Sequence, residues 1–237
     1  MVPLLIFAGT FILSLWASHR VKSVYRRYAQ EDSVCGLTGE QTARKVMEDA
    51  GIHDVEIHAQ EGELTDHYDP SHKRLVLSTD NYYGKSISAL AVSAHEAGHA
   101  IQHKVGYAMM TVRQSLAPAT QIAAGVSNFV MIAGIFLLST AIGGTLLTIG
   151  AVALAVICLF QLVTLPVEFD ASRRAKAELV RLGIVGDDEM SGVHETLDAA
   201  ALTYVAAFVA ALASLVACGS KDSDTAAADT AAASARF

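Results

Sequence analysis

The sequence predicts a mainly α integral membrane protein, with four transmembrane helices and a small α+β portion on the cytoplasmic side. Three observations predict it. The chain is greasy for its size, with 52% of its 237 residues apolar and a mean hydropathy of +0.38. Its charges are confined: there are none from Val2 to Ser18, none between Arg113 and Glu168, and none between Asp198 and Lys221. Its Lys and Arg residues are lopsided, with eleven of the 17 falling between the first and second apolar runs.

A spanning helix needs about 20 mostly apolar residues. The first and last runs each fit one helix, at 2–18 and 199–218. The middle run fits two, at 122–142 and 144–165, with Gly143-Gly144 as the break. A cleaved signal peptide is the rival reading of residues 1–18, but that stretch has no basic n-region, and its Lys and Arg come after it. An uncleaved anchor fits better. A soluble core is the rival reading of the middle run, and so long a charge-free stretch is foreign to a soluble domain of this size. The expected order is a first span, a polar region at 19–121, a helical hairpin at 122–165, a polar segment at 166–198, a fourth span, and an Ala-rich disordered tail at 219–237.

Arg20, Lys22, Arg26 and Arg27 follow the first span, and Arg173 and Arg174 follow the third. The positive-inside tendency puts both segments in the cytoplasm and both termini outside. The formal net charge of −7, with bases and acids intermixed, gives no footprint for nucleic acid. Cys35, Cys158 and Cys218 are odd in number and lack metal-type spacing, which fits an unbridged protein. The lipid bilayer is the partner that composition alone implies.

Within 19–121, Thr38-Gly-Glu-Gln41 reads as a capping box opening a helix that stops at Gly51. Asp54-Val-Glu-Ile-His58 alternates like a half-buried strand, and 64–70 with 74–78 reads as a hairpin. A strand here could offer its edge to an extended peptide. Asp66, His67 and Asp69 form a polar cluster, readable as support for a site or as turn residues bonding their own backbone.

The chain then reaches His95-Glu96-Ala97-Gly98-His99. On a helix, positions i and i+4 share a face, so the two imidazoles can converge on one metal ion, and Zn²⁺ is the metal this H-E-x-x-H spacing suits. Glu96 sits where its carboxylate can take a proton from an attacking water. Leu90, Ala91, Ala94 and Ala97 make an apolar stripe, and burying two His and a Glu costs too much without a metal or other partners. His103 lies about 12 Å along the axis from His95 and cannot join both on one ion. Gln102 and Val105 replace the Gly and His of the three-His pattern. The third ligand must come from elsewhere. Glu168, the first charge after the long apolar run, is the preferred candidate, since both ends of the hairpin return to one face. Asp170 competes for that role, or orients an imidazole from behind.

Four segments carry a resemblance: Ala94–His103, Leu64-Thr-Asp-His-Tyr-Asp-Pro70, Leu165-Pro-Val-Glu-Phe-Asp-Ala-Ser-Arg-Arg-Ala175 and Ala200-Ala-Leu-Thr-Tyr-Val-Ala206. From about residue 4 to residue 217 the chain resembles the bacterial neutral zinc metallopeptidases of the YugP-like membrane family. The resemblance implies a membrane-embedded, zinc-dependent peptidase acting on a protein or peptide. Zinc would be held by His95 and His99, Glu96 would be catalytic, and the α+β portion would be zincin-like. A looser similarity links it to membrane metalloproteases of the heat-shock and prenyl-protein type, where a ligand Glu sits in an E-x-x-x-D segment. Glu168 fits the Glu place. Ser172 replaces the Asp, leaving Asp170 as a substitute for its contact. An oxyanion donor beyond the metal would come from Tyr204, if its helix starts beside the site, or from His194. Two rival functions are an intramembrane site-2-type protease, which would want an Asp in an apolar span, and a membrane metal-binding scaffold without turnover.

Overall fold

The structure, a computed structural model, describes residues 2–137 and 139–234, with side chains from residue 5 to 137 and from 139 to 217. Seven helices and three short strands run in the order α1 (Val2–Tyr28), α2 (Gly39–Asp49), β1 (Glu56–Gln60), β2 (His67–Asp69), β3 (Arg74–Ser78), α3 (Thr79–Tyr83), α4 (Ile87–Lys104), α5 (Ala108–Phe136), α6 (Ala141–Arg181) and α7 (Asp187–Ser234). Two compact units divide the chain.

The first unit comprises Met1–Leu15, Arg113–Val163 and Val205–Phe237. Among the described residues, three helices are long and apolar enough to cross a membrane: Ala108–Phe136, Ala141–Arg181 and Asp187–Ala217. Their outer faces carry Ile122, Phe129, Phe136, Val152 and Val216 in the open, a surface suited to hydrocarbon rather than water. The expected span at 2–18 is not among the three, and the side chains of its first residues lie outside those described. The expected tail at 219–237 also lies outside the residues with described side chains.

The hairpin break needs correcting. α5 ends at Phe136 and α6 begins at Ala141, so Gly143 and Gly144 lie inside the first turn of α6. Thr140 decides this, because its hydroxyl accepts from the Gly143 N–H at 3.2 Å and caps the helix. Gly150 then lies against Met131 and Gly134 against Leu147, where any Cβ would collide. These glycines close the α5–α6 contact instead of breaking it. The helices also outrun the expected spans, since α6 continues past Pro166 to Arg181.

The second unit, Trp16–Val112 with Thr164–Tyr204, is built on α4. Fourteen of its 18 residues are buried. The Thr38 capping box forms as expected, with the Thr38 hydroxyl and Gln41 side chain exchanging bonds with each other's backbone. Gly39 is required there, because a Cβ would collide with the Asn81 carbonyl and the Ser93 hydroxyl. Leu75 and Leu77 of β3, both fully buried, share one core cluster with Leu90 and Ala94 of α4.

The sheet runs β1-β3-β2, with β1 parallel and β2 antiparallel to β3. The hairpin is therefore as expected, while the first strand is Glu56–Gln60 rather than 54–58. Its ladder opens at Glu56, whose N–H reaches the Lys73 carbonyl at 3.1 Å. Since β3 lies between its two neighbours, the strand immediately before α4 has no edge to offer a peptide; the free edges belong to β1 and β2.

Candidate metal centre

Two helices supply the centre, and both are lined with small residues where they meet. Ala94, Ala97 and Gly98 of α4 and Ala171 and Ala175 of α6 are all buried. A Cβ on Gly98 would lie 2.7 Å from the Ala171 carbonyl oxygen, closer than side chains tolerate. Glycine inside the H-E-x-x-H segment thus lets the α6 backbone approach, and the approach brings Glu168 over the two imidazoles.

Glu168 Oε2 lies 3.2 Å from His95 Nε2 and 3.6 Å from His99 Nε2. The imidazoles meet edge to face, with centroids 4.7 Å apart. One ligand atom from each of the three residues lies within 4.8 Å of the others, a group that could hold a metal ion. The donor chemistry fits zinc: two imidazole nitrogens and one carboxylate oxygen leave a fourth, open position. Burial fits as well, because Glu168 is only 2% exposed and a buried carboxylate needs cationic company.

The far nitrogens of both rings are held. Ser172 Oγ lies 3.1 Å from His95 Nδ1. Gln102 Oε1 lies 3.0 Å from His99 Nδ1, while the Gln102 amide donates to the Val167 carbonyl at 2.8 Å and to Asp170 at 3.0 Å. With its amide nitrogen so engaged, Gln102 can only accept from His99, which puts the proton on Nδ1 and frees Nε2 for a metal. Asp170 is anchored in turn by Arg173 and by Arg174 Nε at 2.6 Å. It reaches His99 only through Gln102. Sequence reasoning missed Gln102 as a partner of His99, although a glutamine at i+3 on the same helix is within reach. Ser172 was read as a loss, whereas its hydroxyl meets His95 directly.

Burial pushes the Glu96 carboxyl above the usual carboxylate range, against the pull of the neighbouring imidazoles. Burial pushes the His99 imidazole down, but the Glu168 carboxylate outweighs it and holds it above its ordinary value. His95 and Glu96 open onto a cleft of about 210 Å³, which Tyr204 of α7 and Asp66 also line. His194 is exposed on α7 and is not among the lining residues. The other polar candidates separate. Asp69, the last residue of β2, accepts from the Ser71 and His72 N–H groups of the turn that follows, and His67 bonds the Thr65 carbonyl on the exposed side. His103 turns away, its Nδ1 meeting the Tyr68 hydroxyl at 2.8 Å.

The family model described as "Putative neutral zinc metallopeptidase" matches residues 3–219. The chain is 41% identical over 204 residues to the "Putative membrane protease YugP" of Bacillus subtilis (strain 168), covering 86% of this chain and 89% of that protein. No solved structure matches significantly. With the family model matching residues 3–219 and a relative 41% identical over 86% of the chain, the chain belongs to the neutral zinc metallopeptidase family.

Proposed function

We propose that the protein is a membrane-bound, zinc-dependent endopeptidase in which His95, His99 and Glu168 hold the ion and Glu96 is the general base. The observation that carries this reading is the convergence of three ligand atoms within 4.8 Å beside a cleft that Glu96 also lines. Held by these residues, zinc would supply Lewis acidity toward a scissile carbonyl and toward water at neutral pH. Glu96 takes the proton from the attacking water and passes it to the leaving amine. Gln102 and Ser172 keep the two imidazoles in the orientation and tautomer this needs. An open cleft beside a three-donor cluster suits turnover better than a closed structural site.

Tyr204 lines the same cleft and is the candidate donor to the developing oxyanion. Tyr204→Phe is expected to lower kcat by about 100- to 1,000-fold with zinc content unchanged; an unaltered kcat would remove Tyr204 from the mechanism. The protein is read as multi-pass, with residues 2–18 as a fourth span and the site on the cytoplasmic side, a reading supported by the Lys and Arg that follow the first and third apolar runs.

The test is metal removal from the full chain in detergent. Casein hydrolysis should vanish on chelation and return with added zinc, but not with magnesium, which prefers oxygen ligands in octahedral geometry. Hydrolysis that survives chelation would overturn the proposal.

A further inference from the structure

The cleft beside the metal cluster contains a negative charge that the mechanism above does not use. Asp66 takes three hydrogen bonds: from the Ser78 N–H at 2.7 Å, the Ser78 hydroxyl at 3.2 Å and the Asn81 side-chain amide at 3.0 Å. All three donors are neutral. Asn81 is itself buried and oriented, because its carbonyl oxygen accepts from the Tyr25 hydroxyl at 2.8 Å. The carboxylate is therefore held in place by β3, α3 and α1 at once, and among the described residues no Lys or Arg pairs with it.

Among the described residues, Asp66 and Glu96 line the cleft together with His95, and no Lys or Arg does, so its side-chain charges away from the metal cluster are acidic. Arg26, nearby on α1, is already engaged by Glu63 at 2.9 Å. The remaining walls include Val21, Val92 and Leu197, which are apolar, and Thr196, Thr203 and Tyr204, which carry hydroxyls. Partly apolar walls around a fixed carboxylate suit a group that is cationic where it meets Asp66. An acidic group there would meet like charge.

We infer that Asp66 sets the charge preference of this cleft, selecting a substrate that places an ammonium or guanidinium group beside it and rejecting an acidic one. The inference rests on the peptidase reading for what the cleft binds. The shared chemistry is a cationic nitrogen, supplied either by a Lys or Arg side chain or by a peptide's free α-amino group. Asp66 is a specificity residue and takes no part in bond cleavage.

Binding separates this inference from the catalytic one. Zinc-loaded, full-length Glu96→Gln protein in detergent would be titrated with fluorescent peptides that differ at one position, Lys against Glu, each with a free or an acetylated N-terminus. The cationic member of a pair should bind at least about tenfold more tightly. Adding Asp66→Asn should collapse that ratio, with zinc content reporting that the site still forms. A preference that follows the side chain identifies Lys or Arg, and one that follows acetylation identifies the α-amino group. Should Asp66→Asn fail to fold, salt takes its place: raising ionic strength from about 0.05 to 0.5 M should shrink the ratio in the parent protein. Equal affinities, no binding, or a ratio indifferent to both changes would overturn the assignment. Charge-selective binding without any hydrolysis by the wild type would overturn only the peptidase reading, and hydrolysis without charge preference would overturn only Asp66.

Discussion

Glu168→Ala protein is expected to purify without zinc, where the wild type carries about one ion per chain. The carboxylate bridges two imidazole nitrogens at 3.2 and 3.6 Å and is the one acidic member of the cluster. Without it, two neutral nitrogens on a single helix face remain, too few for a closed or a catalytic zinc shell. Asp170→Ala should behave differently. Asp170 touches Gln102, Arg173 and Arg174 but neither imidazole, so its loss loosens His99 indirectly. Removing a partner of that kind weakens metal affinity by about 10- to 100-fold, and zinc in excess should restore occupancy. Thermal unfolding gives a second readout. Zinc at 100 times its Kd stabilises a binding-competent fold by about 2.7 kcal/mol, an increment Asp170→Ala should keep at higher zinc and Glu168→Ala should lose. Wild-type zinc content in Glu168→Ala would mean that the third ligand lies elsewhere.

The contrast between these residues marks what the sequence can carry. His95, Glu96 and His99 were legible because a helix turns neighbours four apart onto one face, so spacing alone implies proximity. Glu168 is 73 residues from His95 and was reached by a cruder argument: the first charge after an apolar hairpin comes back to the side it left from. That argument preferred Glu168 but left Asp170, only two residues on, in competition with it. The separation lies in the rotation of α6, where Glu168 and Ser172, four apart, both face α4 at His95, while Asp170 meets Gln102 from the next position round. Rotation is fixed by close packing at Gly98 and Ala171, and pattern reasoning reads a glycine there merely as a small residue.

The membrane hairpin shows the same limit from the other direction. Gly143-Gly144 reads as a break because glycine weakens helices, yet Thr140 supplies the cap three residues earlier and the glycines fall inside α6. The capping box at Thr38 was legible for the complementary reason: its Thr and Gln satisfy each other's backbone within four residues, so no distant contact is needed. Asp66 was visible only as part of a polar cluster. Asp66 precedes β2 and lines the cleft, while Asp69 ends that strand opposite Arg74 and accepts from the Ser71 N–H of the turn that follows.

Glu96→Gln is the change expected to cost the most activity for the least disturbance. The amide matches the carboxylate in shape, keeps an acceptor, and cannot take a proton from water. Proton transfer by a positioned group is worth about 10²- to 10⁴-fold, so kcat should fall by a factor in that range while KM stays near its wild-type value. Zinc content should not fall, since Glu96 is outside the three-residue group and no metal donor is removed. Folding should hold too. Glu96 is buried, and replacing an ionisable group by a neutral one relieves the desolvation that raises its carboxyl. Chelation and Glu96→Gln would then both abolish hydrolysis for separable reasons, one by emptying the site and one by leaving it filled without a base. Glu96→Gln protein that still cleaves casein at the wild-type rate, with its zinc in place, would exclude Glu96 as the base and move the search to the other groups that face the cleft.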